Sequence, residues 1–455
     1  MKHGAWRVVA ILLLMLMGLW LLQYLPAFTF LGQRLEPVRL LSLFAPLPTT
    51  SSDSVEIVTD TLTICPDGVV CVEDYSRSDS STPGHSMAYF YEALYALQHE
   101  PKRKVRIAFY GDSFIEAEIL TGDLRRLLQA DFGGSGVGWL PMRSDRNDRY
   151  RSTLAVKSQG WQEYEMRHQR TDTRRLGIAG LYLTGQAGAY TEVQVYADKR
   201  RLPAWDEHYV YYAQPPIGHA PRWTLTTGSG TPIALTSHTH GTIGYAKGEG
   251  KTDHLKWVVN SAPTNSTYWG MSIEGASGIV LDNFSMRSET GTNLLRLPDA
   301  HLRDLHAVRP YDLIILQYGL NVMSNTMVNN TTYFATMRKV IAKLQQAYPH
   351  TSILLLSVSD RAQRQHGIYA TMPAVKPFVA TQRQLAIDCG IAFWDVYTAM
   401  QYDGGIVGMV DAKPRQAALD YTHINHAGGA RIAHHLYNAL RTGLQHYQAS
   451  HPTPR

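Results

Sequence analysis

Ser113, Asp420 and His423 are the residues of this chain whose types and surroundings fit one piece of chemistry. A serine hydroxyl becomes a nucleophile when a base takes its proton, the base must hold one tautomer, and the developing oxyanion needs donors. Ser113 stands in "VRIAFYGDSFIEAEILTGDLRRLL", where the apolar run Val105–Tyr110 predicts a buried strand and the following residues an amphipathic helix. Asp420 and His423 stand in "LDYTHINH", ahead of a second helical stretch with Asn425 as its candidate N-cap. A carboxylate three residues before an imidazole on a turn can curl back to Nδ1 and leave Nε2 free to face a hydroxyl. After the apolar run Leu313–Gln317, "YGLN" sets Gly319 and Asn321 at the carboxyl end of another strand, where an amide or N–H can meet an oxyanion. Together these imply acyl transfer through a covalent serine intermediate.

Each feature has an ordinary explanation. Ser and Asp are good helix N-caps, D-x-x-H arises often by chance, and Gly and Asn are common turn residues. Glu116 and Glu118 read as first-turn acids that complement a helix dipole. His238 and His240 share one strand face but have no third metal ligand in view, His434 and His435 fall mid-helix, and the cysteines form neither a zinc nor a redox motif. The combination of Ser113, Asn321, Asp420 and His423 in one α/β pattern carries the functional reading.

The elements that must position these residues alternate. Helical spacing in "HSMAYFYEALYAL", the strand at Val105, the buried run "YDLIILQYG", the helix "FATMRKVIAKLQQAY", the strands "TSILLLSVSD" and "GIAFWDVY", and a closing helix with Ile432, Leu436, Ala439 and Leu440 in one stripe predict an α/β domain. Between residues 151 and 276 the helical period disappears and short alternating runs such as "YTEVQVYAD" take over, which predicts a β-sandwich or jelly-roll insert. That insert holds Trp161, Trp205, Trp223, Trp257 and Trp269, either as core or as exposed platforms for sugar rings. The expected organisation is a membrane segment at 1–30, a spacer at 31–84, the first part of the α/β domain at 85–150, the insert at 151–276 and the second part at 277–455.

At 455 residues and 44% hydrophobic content the chain has room for two folded domains. A net charge of +5, spread over short clusters, argues against nucleic acid as a partner. Lys2 and Arg7 precede Val8–Leu25, an apolar run long enough to span a bilayer, with its orientation set by the positive flank. It reads as an uncleaved anchor in preference to a signal peptide, with the rest of the chain in the periplasm. Cys65 and Cys71 bracket a turn that looks like a short hairpin and suit a disulfide there, whereas Cys389 sits among apolar residues as a free thiol.

Gly111-Asp112-Ser113, Gly319-Leu320-Asn321 and Asp420-x-x-His423 resemble, in order, three of the four blocks of the SGNH (GDSL-type) hydrolases. The resemblance implies a flavodoxin-like three-layer α/β/α fold and ester hydrolysis with Ser113 as nucleophile, His423 as base, Asp420 as its orienter and Asn321 as oxyanion donor beside the Ser113 N–H. No metal or cofactor is implied. The remaining block, a glycine lending an oxyanion N–H, falls in "IVLDNFSMRSETGTNL", where Ser288 stands at the usual glycine and Gly291 is the next one. Phe114 stands where many relatives carry a small polar residue or histidine.

The stretches "GDSFIEAEILTGDLRRLLQADFGGSGVGWLP" and "WGMSIEGASGIVLDNFSM" look like the bacterial peptidoglycan O-acetylesterases, whose catalytic domain is interrupted by a carbohydrate-binding-type β-sandwich. The expected function is therefore removal of O-acetyl groups from a cell-envelope glycan, peptidoglycan first. A glycan O-acetyltransferase using the same triad, and a non-catalytic glycan-binding protein, are the alternatives.

Overall fold

Val105, Ile107, Ala108 and Phe109 are all fully buried, as expected of a strand covered on both faces. In the computed structural model, which describes residues 28–30, 33–35, 65–76, 86–100, 102–143, 145, 153–196, 202–214, 220–325 and 330–451, they belong to the strand Lys104–Gly111. It pairs in parallel with Gly278–Ser285 on one side and Leu313–Gln317 on the other, and Ser352–Leu356 and Ala392–Trp394 extend the sheet. Numbered along the chain, these five parallel strands lie in the order 2-1-3-4-5, the flavodoxin-like order in which the winding reverses beside the first strand. Helices Met87–His99, Thr121–Phe132 and His426–Ser450 pack on one another, and helices Asp299–Val308, Thr331–Ala347 and Val375–Cys389 form a second row. The predicted α/β architecture is thus present.

The antiparallel edge strand Glu73–Asp74 corrects the expectation of a spacer up to residue 84. Val70 and Val72 pack on the core, the Trp394 indole donates to the Val70 carbonyl at 2.8 Å, and Arg383 holds Glu73 at 2.8 Å. The Cys65–Cys71 disulfide closes a turn at Asp67-Gly68 that leads into this edge strand rather than into a hairpin. Phe28–Phe30 and Gln33–Leu35 form a separate antiparallel pair. Val8–Leu25 lies outside the described residues; among those described, no helix is long and apolar enough to cross a membrane.

Between the first two parallel strands, the described residues form an antiparallel sheet of ten strands: nine from Leu154 to Glu274, and Gly138–Leu140 from upstream of the expected boundary. Its core contains Trp205, Trp257, Tyr212 and Tyr268, with Trp223 nearly as buried, while Trp269 joins the core of the α/β domain. Trp161 is half-buried and donates to the Tyr190 carbonyl. The insert's tryptophans are therefore packing residues, not platforms.

Alternation along the strand Trp205–Ala213 joins the two parts: Val210 and Tyr212 face the insert core, and Tyr209 and Tyr211 face the α/β core. At this seam the buried Arg309 guanidinium binds Asp282 at 2.8 Å and also Glu274, on which Lys104 and Arg106 converge at 3.0 and 3.1 Å. Burial alone would raise the Glu274 pKa, but Arg309, Arg106 and Lys104 overcome it and hold the carboxyl well below its ordinary value. Asp282 also accepts the Trp139 N–H at 2.8 Å, so the same cluster fixes the strand that crosses from insert to body.

Replacing Arg309 with alanine leaves two buried carboxylates without their shared cation, a change that typically costs about 3–5 kcal/mol. Arg309→Ala is therefore expected to lower the midpoint of denaturant unfolding strongly, as followed by tryptophan fluorescence.

Candidate active site

Register decides where the site sits. Gly111 is paired with Ser285 on one side and with Gln317 on the other, so the segments after all three strands leave the sheet at one level. Ser113, Ser288 and Asn321 lie two, three and four residues past those paired positions. This is the crevice at the carboxyl ends of the strands beside the reversal of winding, where open α/β sheets place ligands.

Ser113 is not a helix N-cap. The Phe114 N–H turns back to Asp112 Oδ1 at 2.9 Å, a 3-10 turn covers Glu116–Glu118, and the α-helix begins only at Thr121. Nor do Glu116 and Glu118 serve a helix dipole. Glu116 pairs with Arg287 at 2.6 Å, and the buried Glu118 pairs with Arg125 at 2.6 Å and accepts from the Thr153 hydroxyl at 2.9 Å. These anchors hold Ala117 and Glu118 at φ 57° and 58°, the left-handed region that non-glycine residues avoid. Phe114 is buried in the core, so its side chain leaves the pocket unaltered.

From the other end of the chain, the helix His426–Ser450 starts under the Asn425 cap, whose side-chain oxygen accepts the Ala427 N–H at 2.9 Å and the Gly428 N–H at 3.2 Å. A Cβ on Gly429 would fall 1.8 Å from the Ile119 carbonyl oxygen, so only glycine lets this helix press against the segment that follows Ser113. That contact brings the preceding turn to the serine. His423 Nε2 lies 3.3 Å from Ser113 Oγ, and His423 Nδ1 lies 2.7 Å from Asp420 Oδ2. Asp420 Oδ1 also accepts the backbone N–H groups of Thr422 and His423, at 2.9 and 3.0 Å. Partial burial pushes the Asp420 pKa up, but these hydrogen bonds outweigh it and the carboxyl sits below its ordinary value, ionised at neutral pH. Nδ1–H facing a carboxylate leaves Nε2 with its lone pair toward the hydroxyl.

The oxyanion candidates separate. The Gly291 N–H is buried and donated to the Glu289 carboxylate at 3.2 Å, and a Cβ there would meet the Tyr318 ring at 2.6 Å, so Gly291 is a packing glycine and not a donor. Ser288 is exposed, lies at φ 61°, and its N–H has no hydrogen-bond partner among the described residues. A left-handed backbone is the conformation that glycine adopts most readily, which fits the glycine that the family resemblance leads one to expect at this position. The Ser113 N–H is likewise without a partner among the described residues. Asn321 differs from expectation: its amide already donates to Asp112 Oδ2 and to the Glu289 carbonyl, both at 3.0 Å, so direct donation to an oxyanion requires it to exchange one of these. Gly319, buried against Val358 and Phe378 at φ 129°, shapes this turn.

Two supporting residues have roles that the sequence does not disclose, although Asp112 belongs to the Gly-Asp-Ser block. Buried Glu289 gathers the N–H groups of Thr290 and Gly291 and the Asn293 amide, and so fixes the turn that follows Ser288. Asp112 is also fully buried; burial raises its pKa to about 7 against the lowering influence of the Phe114 N–H, His423 and the Asn321 amide. The other histidines have different surroundings: His238 stacks on Tyr245, His435 binds Asp403 at 3.0 Å, and His434 is exposed. Among the described residues no His, Cys, Asp and Glu cluster could hold a metal ion. Cys389 is free and half-buried, with burial pushing its thiol up to about 11.

Residues 242–431 match the GDSL-like Lipase/Acylhydrolase family, a span that holds Asn321, Asp420 and His423 and begins after Ser113, on the far side of most of the insert. No curated protein matches the chain in sequence. Among solved structures, a peptidoglycan O-acetylesterase superposes with a TM-score of 0.65 at 19% identity, over 82% of this chain and 99% of that one. An acetyl xylan esterase gives a TM-score of 0.27 at 18% identity over 35% of this chain and 81% of its own. A family two carbohydrate esterase from Clostridium thermocellum, solved with cellohexaose, gives 0.26 at 10% identity over 63% and 99%. The chain thus resembles the SGNH hydrolases in motif and in fold.

Asp420→Asn puts an NH2 donor where Oδ2 accepts from His423 Nδ1, which favours the wrong imidazole tautomer, and the hydrolysis rate of an activated acetate ester is expected to fall roughly 10³–10⁴-fold with little change in KM. Ser288→Gly keeps the N–H and relieves the left-handed backbone; it is expected to retain activity and raise unfolding stability by up to about 1 kcal/mol in a denaturant titration.

Proposed function

We propose that this SGNH-type hydrolase is a serine esterase that removes O-acetyl groups from a cell-envelope glycan, with peptidoglycan as the favoured substrate. The observation that carries the reading is the unbroken line from Ser113 Oγ through the His423 ring to the Asp420 carboxylate, open to solvent at the carboxyl edge of the sheet. His423 Nε2 takes the hydroxyl proton as Ser113 Oγ attacks the acetyl carbonyl carbon. The oxyanion is met by the N–H groups of Ser113 and Ser288, with Asn321 joining when it exchanges a partner. The bond to the sugar oxygen then breaks, with the proton on His423 passing to that oxygen, and water resolves the acetyl-enzyme by the same route in reverse.

The choice of an acetylated glycan rests on the likeness to the peptidoglycan O-acetylesterase, which spans the insert as well as the α/β domain. The reading also places the enzyme in the periplasm, held by residues 8–25. The basic flank of that apolar run and the Cys65–Cys71 disulfide support this.

Acetate release by the purified protein from O-acetylated peptidoglycan and from an aryl acetate, beside Ser113→Ala, tests the reading. Release from both, abolished by the substitution, is the expected result. Turnover of the aryl acetate only when a sugar acceptor is added would replace the esterase by a transferase, and no turnover of either would reduce the chain to a glycan binder.

A further inference from the structure

Among the described residues, the large hydrophobic side chains that stand open to solvent are Ile368, Tyr369, Tyr402 and Leu419, exposed by 70, 42, 55 and 65%. Two of them, Tyr369 and Leu419, lie at the turn that carries the Asp–His pair. Leu419 immediately precedes Asp420, and the Tyr369 ring lies flat on the ring of Tyr421, between Asp420 and His423, with centroids 3.6 Å apart and planes 11° from parallel. Ile368 adjoins Tyr369 on the same short hairpin.

That hairpin, Ala362–Gln365 with Ile368–Thr371, belongs to neither large sheet. His366 and Gly367 at its tip have φ of 49° and 90°, the pair of left-handed residues that a tight two-residue turn demands. An isolated two-stranded ribbon is marginal in water. This one is tied to the site: the Ala362 N–H donates to the Tyr421 carbonyl at 2.9 Å, and Gln363 receives the Asn325 amide from the segment that follows Asn321. Tyr421 itself is held at φ 53°. The hairpin is thus joined both to the triad turn and to the Asn321 loop, and it turns apolar residues outward where packing has no use for them. An exposed aromatic ring held flat on another beside a catalytic group suits a binding surface.

We infer that Tyr369, backed by Tyr421 on the turn that also carries Leu419, is the subsite that holds a pyranose ring of the glycan while the acetyl group of that chain lies at Ser113; the inference rests on the esterase reading above. A sugar ring offers a flat face of C–H groups that packs on an aromatic ring, and hydroxyl groups around its edge that need polar partners. The hairpin supplies both, since exposed Arg364 is the cross-strand partner of Tyr369 and lies on the same face. A lipid chain would demand a longer continuous apolar track than these residues make. Trp205, Trp223, Trp257 and Trp269 are buried and Trp161 is half-buried, whereas the exposed aromatic ring beside the triad, Tyr369, lies on the α/β domain.

Two measurements test this together. The ratio of kcat/KM for O-acetylated peptidoglycan fragments to kcat/KM for an aryl acetate is expected to fall at least about fivefold in Tyr369→Ala, through KM for the glycan, and to return in Tyr369→Phe. Calorimetric binding of the same fragments to the Ser113→Ala protein is expected to weaken by a similar factor when Tyr369→Ala is added. An unchanged ratio, whether both activities fall together because Tyr369 merely props the triad turn or neither falls, overturns the subsite, and so does binding indifferent to Tyr369 or absent altogether. Failure of the esterase reading would show separately, as wild-type protein that releases no acetate from the fragments while the Tyr369 dependence of binding still decides the subsite.

Discussion

The site depends on the register of three parallel strands. Because Gly111 is level with both Ser285 and Gln317, the segments carrying Ser113, Ser288 and Asn321 emerge side by side over one crevice. A slip of one residue in either pairing would turn the side chains of the shifted strand to the opposite face of the sheet and carry its loop away. The last contributor arrives differently. His423 and Asp420 belong to a turn before the closing helix, placed by a close backbone approach at Gly429 rather than by a strand end.

The insert is coupled to the same strand set. Asp282 lies within Gly278–Ser285, three residues before the end of the strand that leads to Ser288, and it is bound by Arg309 and by the Trp139 N–H at the edge of the insert sheet. Glu274, the last residue of the insert's final strand, shares Arg309 with it. The buried charges at the seam thus fix the insert and the oxyanion strand relative to each other. Buried ion clusters of this kind are poor sources of net stability but strongly penalise other arrangements, which suits a role in holding one geometry.

The triad was legible because its geometry is local: D-x-x-H closes on itself within one turn, and Ser113 directly follows a strand that hydrophobicity alone identifies. The α/β alternation and the β character of the insert were legible for the same reason. The features that depend on long-range packing were not. The polar stretch near the cysteines reads as a spacer, yet Val70 and Glu73 find partners on Trp394 and Arg383, more than 300 residues away. Glu116 and Glu118 look like helix-dipole acids until Arg287 and Arg125 are folded against them. Choosing Ser288 over Gly291 required knowing which N–H was already spent on Glu289, and the half-apolar hairpin at residues 362–371 gave no periodic signal strong enough to mark it.

The central claim is that Ser113 is an activated nucleophile. Incubation with a fluorophosphonate, which phosphonylates serines whose proton is taken by a neighbouring base, followed by intact mass measurement and peptide mapping, tests it directly. The account predicts one adduct per chain, located on the peptide containing Ser113 and formed far more slowly in Asp420→Asn. An unmodified chain, or an adduct on any other serine, would contradict it.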